Sequence, residues 1–169
     1  AIAYYANYYG VLNQTINATA TQMSFQNITN QFGISVDVSS NITFQYPGVY
    51  EISTLLQVNA SVGSVLIYWY RLNGVDIPNS GVQYNFSESG IQIIAPNILM
   101  FNANAGDRIS IWAIKTSGAI SLSYGSLSLS PAYPASPSVD VGIKQITYTQ
   151  IGPTGVTGYT GRTGYTGYT

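Results

Sequence analysis

Residues 152–169 run as six unbroken Gly-X-Y triplets, with Gly152, Gly155, Gly158, Gly161, Gly164 and Gly167 in phase. Glycine at strict third-residue spacing is what a helix of three extended chains demands, because only hydrogen fits at its crowded axis. At an ordinary glycine usage of about 7% to 10% per position, six in phase arise by chance roughly once in a million placements. A flexible linker, the plainer reading of a Gly-rich tail, clusters glycine with serine and keeps no phase. The tail therefore predicts that this chain is one of three.

Pro153 is the only imino acid among the triplets, and Thr154, Thr157, Thr160, Thr163, Thr166 and Thr169 fill every third position. Proline is what normally pre-sets the backbone of such a helix, so a short, imino-poor version is weak by itself. At about 3.1 Å per residue the tail reaches roughly 50 Å to 60 Å. Its Thr-filled triplets resemble the collagen-like stalks of microbes and viruses, where the threonines are sites for sugars. Ending on a completed triplet, the sequence is expected to continue as a longer stalk beyond Thr169.

Something else must then hold three chains together. Residues 1–130 have the length of one domain with a real core, residues 131–151 read as a Pro-rich connector or collar, and 152–169 are the stalk. Charged residues are only 7% of the chain and the net charge is -1, which leaves no basic patch for nucleic acid or an anionic membrane. A surface so poor in charge has to be covered by polar side chains or by other subunits. There is no cysteine, so burial and backbone pairing alone hold the fold, and cytosolic and extracellular homes both stay open. No run approaches the ~20 apolar residues of a membrane helix, so membrane insertion is not expected. Ala1 is neither an initiator methionine nor part of a recognisable signal peptide, as in a processed chain or an internal segment.

Along the head, short β-branched and aromatic segments alternate between turn signals, the pattern of antiparallel strands, and no helix is predicted. Residues 49–60 set Tyr50, Ile52, Leu56 and Val58 on one face and Glu51, Ser53, Gln57 and Asn59 on the other. Residues 64–72 are apolar on both faces, with Val65, Ile67 and Trp69 against Leu66, Tyr68 and Tyr70. That predicts a central strand covered twice, or one that faces another subunit. Asn73-Gly74 then supplies a tight hairpin turn. Further strands are predicted at 3–10, 21–28, 33–39 (Ile34, Val36 and Val38 inward), 41–46, 90–95, 97–101, 108–114 and 119–129, the last with a bulge at Gly125. About ten strands in 130 residues indicate two packed sheets.

These segments resemble the superfamily of the complement q-type globular head and tumour necrosis factor. The residues that carry the resemblance are Phe44, Pro47-Gly48, Tyr50 and Ser53 at a strand entry, Asn73-Gly74 in the hairpin, and Asn97 to Phe101 followed by Gly106-Asp107-Arg108 and Trp112. They cover residues 20 to 130 in the family's order. The resemblance implies an all-β, ten-stranded jelly-roll sandwich assembling as a tight trimer, its axis continuing into a collagen triple helix. The stalk follows the head here, whereas family members usually place it before, so heads and stalks are expected to alternate along a modular fibre.

Chemistry finds few footholds. With no His and no Cys, a hydrolase would need carboxylate pairs, and Asp37, Asp76, Asp107 and Asp140 are more simply turn formers. Calcium, which some family members bind, has one visible ligand here, Asp107 in a Gly-Asp turn, for which turn capping is the plainer role. No other cofactor is expected. Tyr50, Tyr68, Trp69, Tyr70 and Trp112 are read as core and trimer-packing aromatics, and Tyr4, Tyr5, Tyr8 and Tyr9 as core, interface or ligand-stacking groups. Sequons at Asn13, Asn17, Asn27, Asn41, Asn59 and Asn85 offer glycan acceptors if the chain is secreted. The predicted function is a non-enzymatic, homotrimeric module of a fibre on a virion, cell or spore surface or elsewhere outside the cell. Its partners are itself and neighbouring fibre, capsid or surface subunits. The alternative is a head that binds a host receptor or glycan through loops such as 79–89 or 103–107.

Overall fold

The computed structural model describes residues 3–88, 91–126 and 128–147. The six stalk glycines, Gly152 to Gly167, lie outside the described residues, as does the end of the expected connector. The described chain is all strand and turn. In order the strands are β1 (Tyr5–Gly10), β2 (Gln14–Ile16), β3 (Thr21–Gln22), β4 (Asn27–Phe32), β5 (Ile34–Val36), β6 (Ile42–Phe44), β7 (Gly48–Ala60) and β8 (Ser64–Leu72). They continue with β9 (Val75–Asp76), β10 (Val82–Phe86), β11 (Ile91–Ala103), β12 (Arg108–Ser117), β13 (Ile120–Leu122), β14 (Ser128–Leu129), β15 (Ala132–Tyr133) and β16 (Val139–Thr147).

Two antiparallel layers carry the fold, β4-β1-β16-β7-β11 and β10-β8-β12-β6-β5. The short strands extend these: β13 and β2 prolong the first layer past the start of β16, β3 and β9 flank the second, and β14 pairs with β15. Side chains alternate across each strand, so Tyr50, Ile52, Leu56 and Val58 of β7 all reach the space between the layers, where they are fully buried. Phe44 packs on Tyr50 with ring centroids 4.5 Å apart, and Phe101 meets Phe44 edge-on at 5.5 Å. At the β8–β9 hairpin Asn73 and Gly74 take φ of 52° and 81°, the two positive values that a tight hairpin needs.

Tyrosine is used in this core because its hydroxyl reaches the far sheet. Tyr68 donates to the Ala95 carbonyl at 2.7 Å, and Tyr70 donates to that of Asn97 at 2.9 Å while lying 3.0 Å from Thr54 Oγ1. Tyr84 caps the Pro96 carbonyl at 2.5 Å. Three hydroxyls from the second layer thus tie down the middle of β11, the strand where Pro96 cannot donate. Burial pushes the Tyr8, Tyr68 and Tyr70 hydroxyls well above the ordinary value of 10.0, with nearby Tyr70 and Tyr84 adding to the effect at Tyr68. Groups with raised values confer stability that is fully present below the unfolded value and lost as pH rises above it. Alkaline titration above pH 10.0 should therefore show phenolate absorbance rising in two stages, the second coinciding with loss of the sheet signal in circular dichroism. Full ionisation with the sheet intact would contradict this packing.

Several sequence expectations are corrected by the sheet pairing. The boundary at residue 130 does not hold, because β16, expected in the connector, lies in the middle of the first layer between β1 and β7. The weak alternation of 139–147 conceals this: Val139, Val141 and Ile143 face the core while Asp140, Gly142 and Lys144 face out. Residues 119–129 do not form one bulged strand. β13 stops at Leu122, Gly125 bridges to Ser136, and Leu129 is exposed. Val38 is exposed as well, because the strand ends at Val36 and Asp37 organises a turn by accepting from the backbone of Ser39 and Asn41. The segments expected at 90–95 and 97–101 are one strand, β11, running through Pro96.

Gly118 turns the chain between β12 and β13 with φ of 70°, and a Cβ there would come within 2.7 Å of the Ser64 Cα. Gly118→Ala is expected to cost about 2 kcal/mol or more in urea unfolding, from the positive φ and the backbone clash together. A loss below about 0.5 kcal/mol, the ordinary surface level, would refute that local geometry.

Candidate self-association surface

The outer face of the first layer carries an exposed apolar band. On β11 the alternation that buries Ala95, Asn97 and Phe101 turns Ile94, Pro96, Ile98 and Met100 outward. Ile94 is 55% exposed, Ile98 64% and Met100 67%, and Leu55 of β7, paired with Pro96, adds to the band. Among the described residues β11 pairs with β7 alone, so the band sits on an edge strand of 13 residues. A long apolar edge left bare in water is a pairing and aggregation hazard that natural proteins cover or charge. Polar groups begin one strand away: Glu51 carries an ion pair with Lys144 at 2.8 Å, and Asn7 donates to Asp140 at 2.8 Å. Between them Ser53 and Gly142 leave the sheet flat.

The last described strand ends on the same sheet as this band. β16 ends at Thr147 opposite Val49, and β11 ends at Ala103 opposite Gly48, so both finish at the same end of the sheet. β1 starts there too, with Tyr5 opposite Lys144. An aromatic cluster lines that end: Tyr4 stacks on Tyr46 at 4.1 Å and 5°, and Phe32 lies 5.7 Å from Tyr4 and 6.3 Å from Tyr5. Phe32, Tyr5 and Tyr46 each remain more than two-fifths exposed.

Of the aromatics singled out in the sequence, Tyr50, Tyr68 and Tyr70 are fully buried between the layers. Trp69 and Trp112 stand opposite one another in the β8–β12 pairing on the outer face of the second layer, half-buried, with the Arg71 guanidinium 4.0 Å from the Trp112 ring. Asp107 does not present a cation site. One of its oxygens accepts from the Asn104 backbone and the other from the Asn73 amide, which hold its carboxyl below the usual carboxylate range. No group of three potential metal ligands occurs among the described residues. Asp37, Asp76 and Asp140 are engaged separately with Asn41, Arg71 and Asn7. Among the sequons, Asn13, Asn17, Asn59 and Asn85 are exposed, whereas Asn27 and Asn41 are half-buried with their amide nitrogens held by the Tyr9 carbonyl and the Asp37 carboxylate.

The exposed band was missed in the sequence, although its signal was there. Residues 91–101 are apolar on both faces, as 64–72 are, and Pro96 divided them into two apparent strands.

No family model matches the chain, and neither does any curated protein sequence. Solved structures do. Eiger TNF from S. frugiperda matches with a TM-score of 0.55 at 10% identity, covering 92% of this chain and all of that one. Murine APRIL matches with a TM-score of 0.56 at 10% identity over 86% of this chain. The globular domain of zebrafish complement 1qA protein gives 0.53 at 12%, over 86% of this chain and 96% of its own. The head has the TNF and C1q fold. The central place of β16 makes the Pro-rich stretch before it a connection within one sandwich. No helix among the described residues is long and apolar enough to cross a membrane.

Proposed function

We propose that the chain is the subunit of a homotrimeric, non-enzymatic module in which the TNF-like head trimerises and holds the collagen-like tail, 152–169, in register within a fibre on a virion, cell or spore surface or elsewhere outside the cell. The exposed band Ile94, Pro96, Ile98 and Met100, lying on the sheet from which the tail departs, carries this reading. Thr147 is five residues from Gly152, and an extended chain covers at most about 18 Å in five steps. Three subunits sharing one stalk must therefore keep their β16 ends within roughly that distance of the axis. The β16–β7–β11 side of the sandwich meets that requirement. Trimerising the heads raises the effective concentration of three weak tails enough for them to wind.

The same geometry accounts for a stalk that follows its head. β1 and β16 are antiparallel neighbours, so both chain ends emerge at one end of the sandwich and a stalk on either terminus meets the same axis. The test is Gly158→Ala in the full chain. It should abolish the polyproline-type circular dichroism and protease resistance of the tail while light scattering still reports a trimer. If the heads separate as well, the division of labour between head and stalk is wrong. A second reading, a glycan- or receptor-binding head on such a fibre, is favoured by the tryptophan pair on the opposite face.

A further inference from the structure

We infer that the outer face of the second layer carries a binding platform for a neutral oligosaccharide, built on Trp69, Arg71 and Trp112 and bordered by Asp76. It rests on the second reading above and gives it a site. Both tryptophans of the chain are here, directly opposite across β8 and β12. Neither is needed to fill the core, which lies on the other side of the sheet and is packed by Tyr68 and Tyr70. The Arg71 guanidinium lies over both indoles, 4.0 Å from the Trp112 ring centroid and 5.7 Å from that of Trp69. Asp76 Oδ1 then fixes two of these groups, accepting from Trp69 Nε1 at 2.6 Å and from Arg71 Nε at 2.5 Å. These bonds hold the Asp76 carboxyl below its usual range, so it is ionised at neutral pH.

What remains unused has the chemistry of a sugar site. Nε is the one Arg71 nitrogen with a hydrogen-bond partner among the described residues, which leaves the Nη donors of a guanidinium that has five N–H groups. Asp76 Oδ2 is a spare acceptor on a side chain that is 61% exposed. Donors and an acceptor side by side suit hydroxyl groups, which both give and take hydrogen bonds, and the indole surface that the guanidinium does not cover suits the weakly positive C–H face of a pyranose. The Arg71–Asp76 pair is internally neutral, so the platform offers no net charge to an anionic or cationic ligand. Its position also frees it from the subunit contact. The β11 band lies on the outer face of the first layer, so in a trimer built on that band the platform points away from the axis. Three copies then face outward from one head, and modest single-site affinity becomes avidity on a glycan-bearing surface.

Because Trp69 and Trp112 are the only tryptophans, emission of the intact trimer reports this site alone. Titration with chitohexaose, cellohexaose, mannohexaose and laminarihexaose should give a saturable change with at least one of them. Calorimetry on Trp112→Phe and on Arg71→Gln should show binding weakened about tenfold or more, a loss of about 1.4 kcal/mol, with trimer mass and urea midpoint retained. Trp69→Phe, which keeps an aromatic face but loses the bond to Asp76, should weaken it less. Blank titrations with all four sugars, or variants that bind as well as the parent, overturn the platform. Light scattering on the same samples reports the assembly separately: a trimer with blank titrations sinks the site alone, and a monomer sinks the fibre reading.

Discussion

Ile98→Asp should turn the proposed trimer into a monomer of 18.1 kDa without harming the fold of the head. Ile98 is 64% exposed in the single subunit, so a carboxylate there stays in water and costs the isolated head little, within about 0.5 kcal/mol. In the proposed trimer the same position would lie in the middle of the covered band, where a fully buried isoleucine contributes about 1.5 to 3 kcal/mol. An unpaired charge in its place costs several kcal/mol, and each trimer carries the change three times. A loss of trimer affinity greater than about a thousandfold, equal to roughly 4 kcal/mol, is the expected result. Sedimentation velocity of the full chain decides the matter, with urea unfolding as the control for the head. If the Ile98→Asp variant is still a trimer at micromolar concentration, some other face holds the subunits together. The tail should suffer too: its triple-helix signal should disappear with the trimer, because tails without heads in register wind poorly.

Tyr70→Ala should be the most destabilising change in the core. The side chain is fully buried, and its hydroxyl joins Thr54 of β7 to the Asn97 carbonyl of β11 across the sandwich. Removing a buried aromatic side chain costs about 3 to 5 kcal/mol, a large share of the roughly 5 to 15 kcal/mol that holds a domain together. Tyr70→Phe separates the two contributions. It keeps the ring and leaves the Asn97 carbonyl without its donor, for about 1 to 3 kcal/mol. Urea unfolding followed by tryptophan emission measures both. If the alanine variant stays within about 1 kcal/mol of the parent, the tyrosines are not the ties between the layers.

Much of the head was legible before its structure. Residues 49–60 alternate and 64–72 are apolar on both faces, bounded by Pro47-Gly48 and Asn73-Gly74, and they became β7, with Tyr50, Ile52, Leu56 and Val58 inward as expected, and β8. The likeness to the complement and tumour necrosis factor heads was readable from motif order, and the fold agrees. What went astray depended on partners distant in sequence. The run 139–147 alternates no more clearly than many loops, and only pairing with Tyr5–Gly10, more than 130 residues earlier, makes it a central strand. Val38 looked inward by phase, yet the Asp37 turn ended the strand first. The site was less legible still. Ile94, Ile98 and Met100 are apolar residues like any others until the sheet places them on an edge with nothing beyond it.

The sequence by itself determined the period of the tail, the all-strand character of the described head and much of the lining of the sandwich, because glycine phase and side-chain alternation are local properties of the chain. Tertiary structure alone decided which apolar face stays bare, that β16 ends on the same sheet, and that both tryptophans meet on the opposite side. Those outcomes follow from strand order, and strand order is settled by contacts between residues far apart in the chain, which no local pattern encodes.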